Sequence, residues 1–317
     1  MTRAASIDIG TNTIRMLIAD IYPAGTLTPL RRERVITRLG EGFHAGAMLG
    51  EPALRRSLKA LDAFSHLLQA YPVPRVHAVA TSAVREAVNG ADFCSRVTRQ
   101  TGLAVKILSG AEEARLTLAG VMASVRAADL SLIVDIGGGS TELILARNGL
   151  PLHTASIRVG VVHLSEKLLH SDPPSQPELL SLDAKIHDHL DAALADDFSS
   201  SLPFPAPASV RLIGTAGTIT TLAAIDLKMT RYEPDRVTNH VLSRAAIGAI
   251  LHRLAAMPRK QRTTIAGLEP GREDLIIPGA ALLLHLMNRF GFEAITVSDG
   301  GLLEGILIDA LARPRTA

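Results

Sequence analysis

The chain has 317 residues, enough for two domains that each bury a core of their own. It is 47% hydrophobic but only 3% aromatic, with no tryptophan, so the core is aliphatic and base stacking on aromatic platforms is disfavoured as a main binding mode. A formal charge of +2 gives no bulk attraction to DNA or other polyanions, so any basic site is local, and the single cysteine, Cys94, excludes an intrachain disulfide.

The opening MTRAASIDIG passes straight into a strand pattern, with no apolar stretch and cleavage site of a secretory signal. No run approaches the ~20 apolar residues of a membrane span. A soluble, cytoplasmic protein without a membrane partner is expected. Ser6–Ile9 and Ile14–Ile21 read as strands joined by a polar glycine turn, and after the turn YPAG a third strand covers roughly residues 30–39. Pro52 opens a helix reaching about Ala70. A strand at Val76–Ala80, a helix from Ser82, a strand at Val105–Leu108 and a helix from Ala111 to Val125 follow.

At Ser131 the order begins again. Leu132–Ile136 and Leu143–Arg147 form a hairpin, followed by a strand near Leu152–Val159, then helices and a strand at Val210–Ile213. The Ser- and Pro-rich stretch 196–209 reads as a long surface loop. A last strand spans Ala294–Ser298 and a last helix Leu302–Leu311. A repeat on this scale predicts two related α/β domains with a cleft between them.

The repeat is sharpest in two short stretches. SIDIGTNTIRMLIA starts at Ser6 and IVDIGGGSTELILA at Ile133, and they run in step when Asp8 is set on Asp135. Thr11, Asn12 and Thr13 then match Gly138, Gly139 and Ser140, while Arg15 faces Glu142. Each alone reads as a plain hairpin with a glycine turn. As a pair they read as phosphate-holding turns. Free backbone N–H groups in such turns form anion-binding concavities, and Gly10 and Gly137 allow close approach. Asp8 and Asp135, at the strand ends, can hold Mg²⁺ that bridges phosphates. A third small-residue turn, Gly214-Thr215-Ala216-Gly217-Thr218, joins a strand to a helix N-terminus, where an anion meets the helix dipole. No P-loop and no Rossmann glycine pattern is present.

Other features have plain readings. His187 and His189 diverge on a helix, Cys94 reads as a core thiol, Arg272 and Asp274 as a pair, and Glu304 as a cap partner. The run Arg31-Arg32-Glu33-Arg34 reads as an exposed strand face, and Arg15, Arg38 and Arg158 either line a channel or are simply solvated.

The segments DIGTNTIRMLIAD, ATSAVREA, ILSGAEEARL, VDIGGGSTEL, RVGVVHLSE, GTAGTITTLAA and VSDGGLLEG occur in that order. With these the chain resembles the exopolyphosphatase/guanosine pentaphosphate phosphohydrolase family, within the superfamily of actin, sugar kinases and heat-shock chaperones. The resemblance implies an α/β fold of two actin-like, ribonuclease H-like domains: residues 1–120, completed by the C-terminal helix 302–317, and residues 121–301. It implies Mg²⁺-dependent removal of a terminal phosphate from inorganic polyphosphate or from guanosine pentaphosphate, and admits a homodimer. Glu113 takes the place of the water-activating residue and Glu142 that of a second catalytic acid. Asp135 and Gly137 match metal- and phosphate-linked positions, and Arg85 and Arg158 match basic residues that hold the phosphate chain. Gly10, Thr11, Asn12, Thr13, Gly138, Gly139, Ser140, Thr141, Gly214, Thr215 and Gly217 complete the expected phosphate-binding set. The sequence stops where many longer relatives add a helical region, which leaves the preferred chain length open.

Without the resemblance Glu113 reads as part of an acidic helix N-terminus facing solvent, as Glu112 does. Two further function classes remain open: a non-catalytic sensor of polyphosphate or alarmone, against which the intact pair Glu113 and Glu142 speaks, and an actin-like kinase, for which no additional acid is placed.

Overall fold

The computed structural model describes residues 1–22, 26–43, 46–126, 128–194, 206 and 209–312. Most of the stretch 196–209, part of the turn YPAG and the chain beyond 312 lie outside them. The chain divides into two compact units, Met1–Ala123 with Gly300–Ala317, and Ser124–Asp299.

The first unit is built on a five-stranded sheet ordered β3-β2-β1-β4-β5. Its strands are β1 (Thr2–Ile9), β2 (Thr13–Ile21), β3 (Leu27–Ile36), β4 (Val76–Ala80) and β5 (Val105–Ile107). β1, β2 and β3 form an antiparallel meander, and β4 and β5 continue from β1 in parallel. The helices are α1 (Glu51–Gln69), α2 (Ser82–Glu86), α3 (Gly90–Thr101) and α4 (Gly110–Ser124), joined by the last helix of the chain, α12 (Leu302–Ala312). Period-two alternation sends successive strand residues to opposite faces. Ala5, Ile7 and Ile9 pack with Leu54, Leu61 and Phe64 of α1 and Phe93 of α3, whereas Ala4, Leu17 and Ala19 pack with Leu303 and Leu307 of α12.

The second unit carries a six-stranded sheet ordered β10-β11-β9-β6-β7-β8. Its strands are β6 (Leu130–Ile136), β7 (Thr141–Arg147), β8 (Leu150–Ile157), β9 (Val210–Thr215), β10 (Val241–Ser243) and β11 (Ala294–Val297). Again three antiparallel strands lead, and β9 lies parallel to the first of them. The helices are α5 (Val161–Leu168), α6 (Gln176–Leu194), α7 (Ala216–Asp226), α8 (Pro234–Val237), α9 (Arg244–Ala255), α10 (Arg259–Arg262) and α11 (Ile276–Phe290). No described helix is long and apolar enough to cross a membrane.

The duplication extends to hydrogen bonds. The Gly10 N–H donates to the Thr13 carbonyl at 3.1 Å, and the Gly137 N–H to the Ser140 carbonyl at 2.9 Å. The second and third strands shift register between Ile18 and Ala19 in one unit and between Leu145 and Ala146 in the other, which are matched positions. Pro29 stands opposite Ala19, and Pro151 opposite Ala146. Proline has no N–H for the ladder and is tolerated on an edge strand beside such an irregularity.

Two elements differ from the sequence reading. The helix expected from Ser82 is two helices, because Ala87 is extended (φ −81°, ψ 138°) and Asn89 bonds Leu49 through both its amide oxygen and its amide nitrogen. A Cβ on Gly90 would lie 2.0 Å from the Val84 carbonyl oxygen, so glycine lets the second helix start against the first. The short β10 was not anticipated.

Candidate active site

In the first unit, Asp8 stands opposite Arg15 across the ladder. Arg15 donates to Asp8 Oδ2 twice, from Nε at 3.0 Å and from Nη2 at 2.6 Å. Asp8 is only 3% exposed, and its other oxygen, Oδ1, is buried with no hydrogen-bond partner. Asn12 Oδ1, in the turn itself, is in the same condition. The turn carbonyls are occupied from behind: Thr37 and Arg38 donate to the Asn12 carbonyl, and Gly40 to that of Thr11. The Asn12 amide also donates to Thr13 Oγ1.

The same turn is tied to α2 by a 2.9 Å hydrogen bond between the Thr11 and Ser82 hydroxyls. One helical turn on, Arg85 donates from Nη1 to the Leu108 carbonyl at 3.0 Å and to Glu113 Oε2 at 2.9 Å. Glu113, in the first turn of α4, is 8% exposed. The contact is a charge-assisted bond between a buried carboxylate and a guanidinium. Its neighbour Glu112 does a different job. Glu112 accepts from the Ser109 N–H and hydroxyl and returns its own N–H to that hydroxyl, which is a capping box. Lys106 and these bonds lower its pKa to about 2.

In the second unit, the residue opposite Asp135 is Glu142. Two acids thus face each other where the first unit pairs an acid with an arginine. Like charges directly opposite are destabilising in a sheet unless a positive group joins them. Glu142 is 1% exposed, and its Oε1 accepts from the hydroxyls of Ser140 (2.8 Å) and Ser156 (2.9 Å). The segment after β8 closes on the turn. Val161 donates to the Gly137 carbonyl and Val162 to that of Gly138, while Thr141 Oγ1 donates to the Val159 carbonyl. A Cβ on Gly160 would sit 2.4 Å from Gly138 backbone atoms. Arg158 stands exposed at the start of this segment.

The third turn lies where β9 meets α7. Gly214 packs under Ile219 and Ile295, Thr215 is buried, and Ala216 takes a left-handed φ of +69°. A Cβ on Gly217 would fall 2.1–2.6 Å from the guanidinium of Arg272. Arg272 is 8% exposed and bonds Glu269, not Asp274 as its spacing suggested; Asp274 instead pairs with Arg259 at 3.6 Å. The guanidinium resting on the glycine turn was missed in the sequence, where the bare Gly217 was the only sign of it.

The remaining features are structural. Glu304 accepts from the Gly301 N–H and pairs with Arg32. His187 pairs with Asp191, and burial lowers the pKa of His189. Burial raises that of the Cys94 thiol, away from nucleophilic use. Each unit by itself offers oxygens that suit a hard cation. In the second, Asp135 and Glu142 carry carboxylates on neighbouring strands; in the first, Asp8 has an orphaned oxygen. Mg²⁺ bound with substrate phosphates and water needs only one or two carboxylates. Among the described residues no group of three or more His, Cys, Asp or Glu that could hold a metal forms.

Fold and turns together define the class: a two-domain actin-like α/β protein. The Ppx/GppA phosphatase family model matches residues 17–314. The chain is 35% identical to exopolyphosphatase 2 of Mycobacterium tuberculosis over 321 aligned positions, covering 97% of this chain and 98% of that one. It superposes on the Aquifex aeolicus Ppx/GppA family member with a TM-score of 0.81 at 30% identity, covering 100% and 99% of the two chains. An exopolyphosphatase from Cytophaga hutchinsonii gives 0.87 at 29% identity, covering 98% of each. The chain belongs to the Ppx/GppA phosphatase family and is a phosphoanhydride hydrolase.

Proposed function

We propose that the protein is an Mg²⁺-dependent exopolyphosphatase that removes the terminal phosphate of inorganic polyphosphate. Water attacks the terminal phosphorus, the bridging P–O bond breaks, and the products are inorganic phosphate and a chain one unit shorter. Glu113 directs the water and takes its proton. Arg85 keeps that carboxylate aimed. Mg²⁺, for which Asp8 and Asp135 are the candidate ligands of their respective units, would supply charge neutralisation at the phosphate oxygens, with Glu142 as the second catalytic acid. The N–H groups around Gly10–Thr13 and Gly137–Thr141 hold phosphate oxygens, and the turn Gly214–Gly217 and Arg158 hold the rest of the substrate. Phosphoryl transfer asks a protein mainly for positioning and charge stabilisation, which these groups provide.

The observation carrying this reading is the ion pair between half-buried Arg85 and buried Glu113, linked through α2 to a phosphate-type turn. Replacing Glu113 by Gln keeps the shape and removes the base. The expected outcome is a fall in kcat of about 10²–10⁴-fold, with equilibrium binding of polyphosphate little changed. Near-normal turnover in E113Q sinks the assignment. Chelation of divalent ions should abolish phosphate release, and added Mg²⁺ should restore it. Assaying short and long polyphosphate, guanosine pentaphosphate and ATP side by side ranks the substrates. Faster release from guanosine pentaphosphate would transfer the same chemistry to the alarmone.

A further inference from the structure

The two glycine turns are backed in the same way. Gly40 donates its N–H to the Thr11 carbonyl at 2.8 Å, and Val162 donates to that of Gly138, the residue matched to Thr11. A Cβ on Gly40 would lie 2.3 Å from the Thr11 Cγ2 methyl, as one on Gly160 would lie 2.4 Å from Gly138 backbone atoms. At this place the first unit has a threonine hydroxyl where the second has glycine. The second turn forms its Gly137–Ser140 bond without that hydroxyl, so the shape of the turn does not require it.

The Thr11 methyl is seated against Gly40, which leaves the hydroxyl to Ser82 at 2.9 Å. Thr11 is 3% exposed and Ser82 4%. Neither hydroxyl makes another hydrogen bond among the described residues. Each hydroxyl carries one proton to donate. Two hydroxyls joined by one bond spend one proton on each other and keep one. The second O–H is a buried donor at the turn, and such a donor costs free energy until an acceptor meets it. It does not go to Asp8 Oδ1 or Asn12 Oδ1, which both lack a donor. A phosphate oxygen in the turn would accept it.

We propose that Ser82 is a positioning residue for the substrate: it donates to Thr11, and the Thr11 O–H, so aimed, donates to a non-bridging phosphate oxygen seated at the first turn. Donors in series polarise one another, so the bond from Thr11 to the anion is stronger with Ser82 behind it. Ser82 also begins α2, which carries Arg85, so the relay ties the phosphate seat to the arginine that holds Glu113. This inference rests on the phosphate-chain substrate proposed above.

The test is a double-mutant cycle of S82A and T11V, with T11S as the conservative variant. T11V keeps the shape of threonine and removes its hydroxyl. KM for tripolyphosphate should rise about tenfold or more, the loss expected for a hydrogen bond to a charged group, with kcat within about threefold of wild type. T11S keeps the hydroxyl and should raise KM far less. S82A alone should raise KM several-fold, but S82A added to T11V should change it no further, because Ser82 then has nothing to aim. A merely structural bond would lower the melting temperature of S82A and leave KM as in wild type, and that result overturns the proposal. Effects of S82A and T11V on KM that simply multiply overturn it as well. Should the wild type release no phosphate from any polyphosphate, the proposed function fails first. Calorimetric binding of tripolyphosphate to wild type and S82A then decides Ser82 separately. Weaker binding by S82A supports the relay, and equal affinities, or no binding by wild type, overturn it.

Discussion

Asp8 and Asp135 occupy matched places in two copies of one hairpin, yet the residues opposite them carry opposite charge. The first copy engages one oxygen of its acid, Oδ2, through Arg15 at 2.6 Å and leaves Oδ1 buried without a partner. The second sets Glu142 opposite Asp135. The two serines that bond Glu142 matter here, because both hydroxyls meet one oxygen, Oε1, and fix how the carboxylate is turned. Removing the Ser156 hydroxyl takes one donor from Oε1 and loosens the acid. S156A should lower apparent Mg²⁺ affinity several-fold and kcat by up to about tenfold, with little change in KM for substrate. Titrating activity with Mg²⁺ checks this, and an unchanged titration curve refutes the positioning role. The sequence made the charge contrast between Arg15 and Glu142 plain. It could not reveal that Arg85 holds Glu113, because their contact joins separate helices.

At the scale of single elements, α4 presents two adjacent acids with different duties. Glu112 caps the helix from outside, and Glu113 points to Arg85. The cap fixes the turn on which Glu113 stands, and losing such a cap typically costs about 1 kcal/mol. The folded-state pKa of Glu112 is lowered to about 2 from an ordinary 4.5. Its contribution is therefore complete above about pH 4.5 and is lost as pH falls towards 2. E112Q should melt at a lower temperature at pH 7 and show a flatter loss of stability than wild type between pH 4.5 and 2. Its kcat should fall far less than that of E113Q. Thermal melts across that pH range check the claim, and parallel curves for the two proteins contradict it. The capping pattern of Ser109 and Glu112 is legible in the sequence because it is local. The break between α2 and α3 is not, since it depends on Asn89 reaching Leu49 and on Gly90 meeting Val84. β10 escaped for a similar reason: three residues carry no periodic signal, and only pairing with β11 makes them a strand.

On the scale of the whole molecule, the first unit is assembled from both ends of the chain. One face of its sheet is completed by α12, which arrives only after the second unit has been traversed. Leu303 and Leu307 cover Ala4, Leu17 and Ala19, and Leu302 and Ile306 pack with Val79, Leu108 and Leu116. α12 reaches this depth because glycines let it touch α4 backbone to backbone. A Cβ on Gly305 would lie 1.8 Å from the Leu116 carbonyl oxygen, and one on Gly120 would lie 1.8 Å from that of Gly301. Neither neighbour is a flexible side-chain end that can swing away. Gly305→Ala must therefore lift α12 from α4 and open the apolar layer beneath it, although alanine is the better helix former on propensity alone. Overpacking of this kind costs about 1–3 kcal/mol. The expected result is a melting temperature lower by several degrees, with faster hydrogen exchange across β1, β2 and α4 and unchanged protection in β6, β7 and β9. Hydrogen exchange read by mass spectrometry separates the two units. A G305A protein with wild-type stability, or with its loss of protection centred on the second unit, would show that the contact between α4 and α12 does not hold the first unit closed.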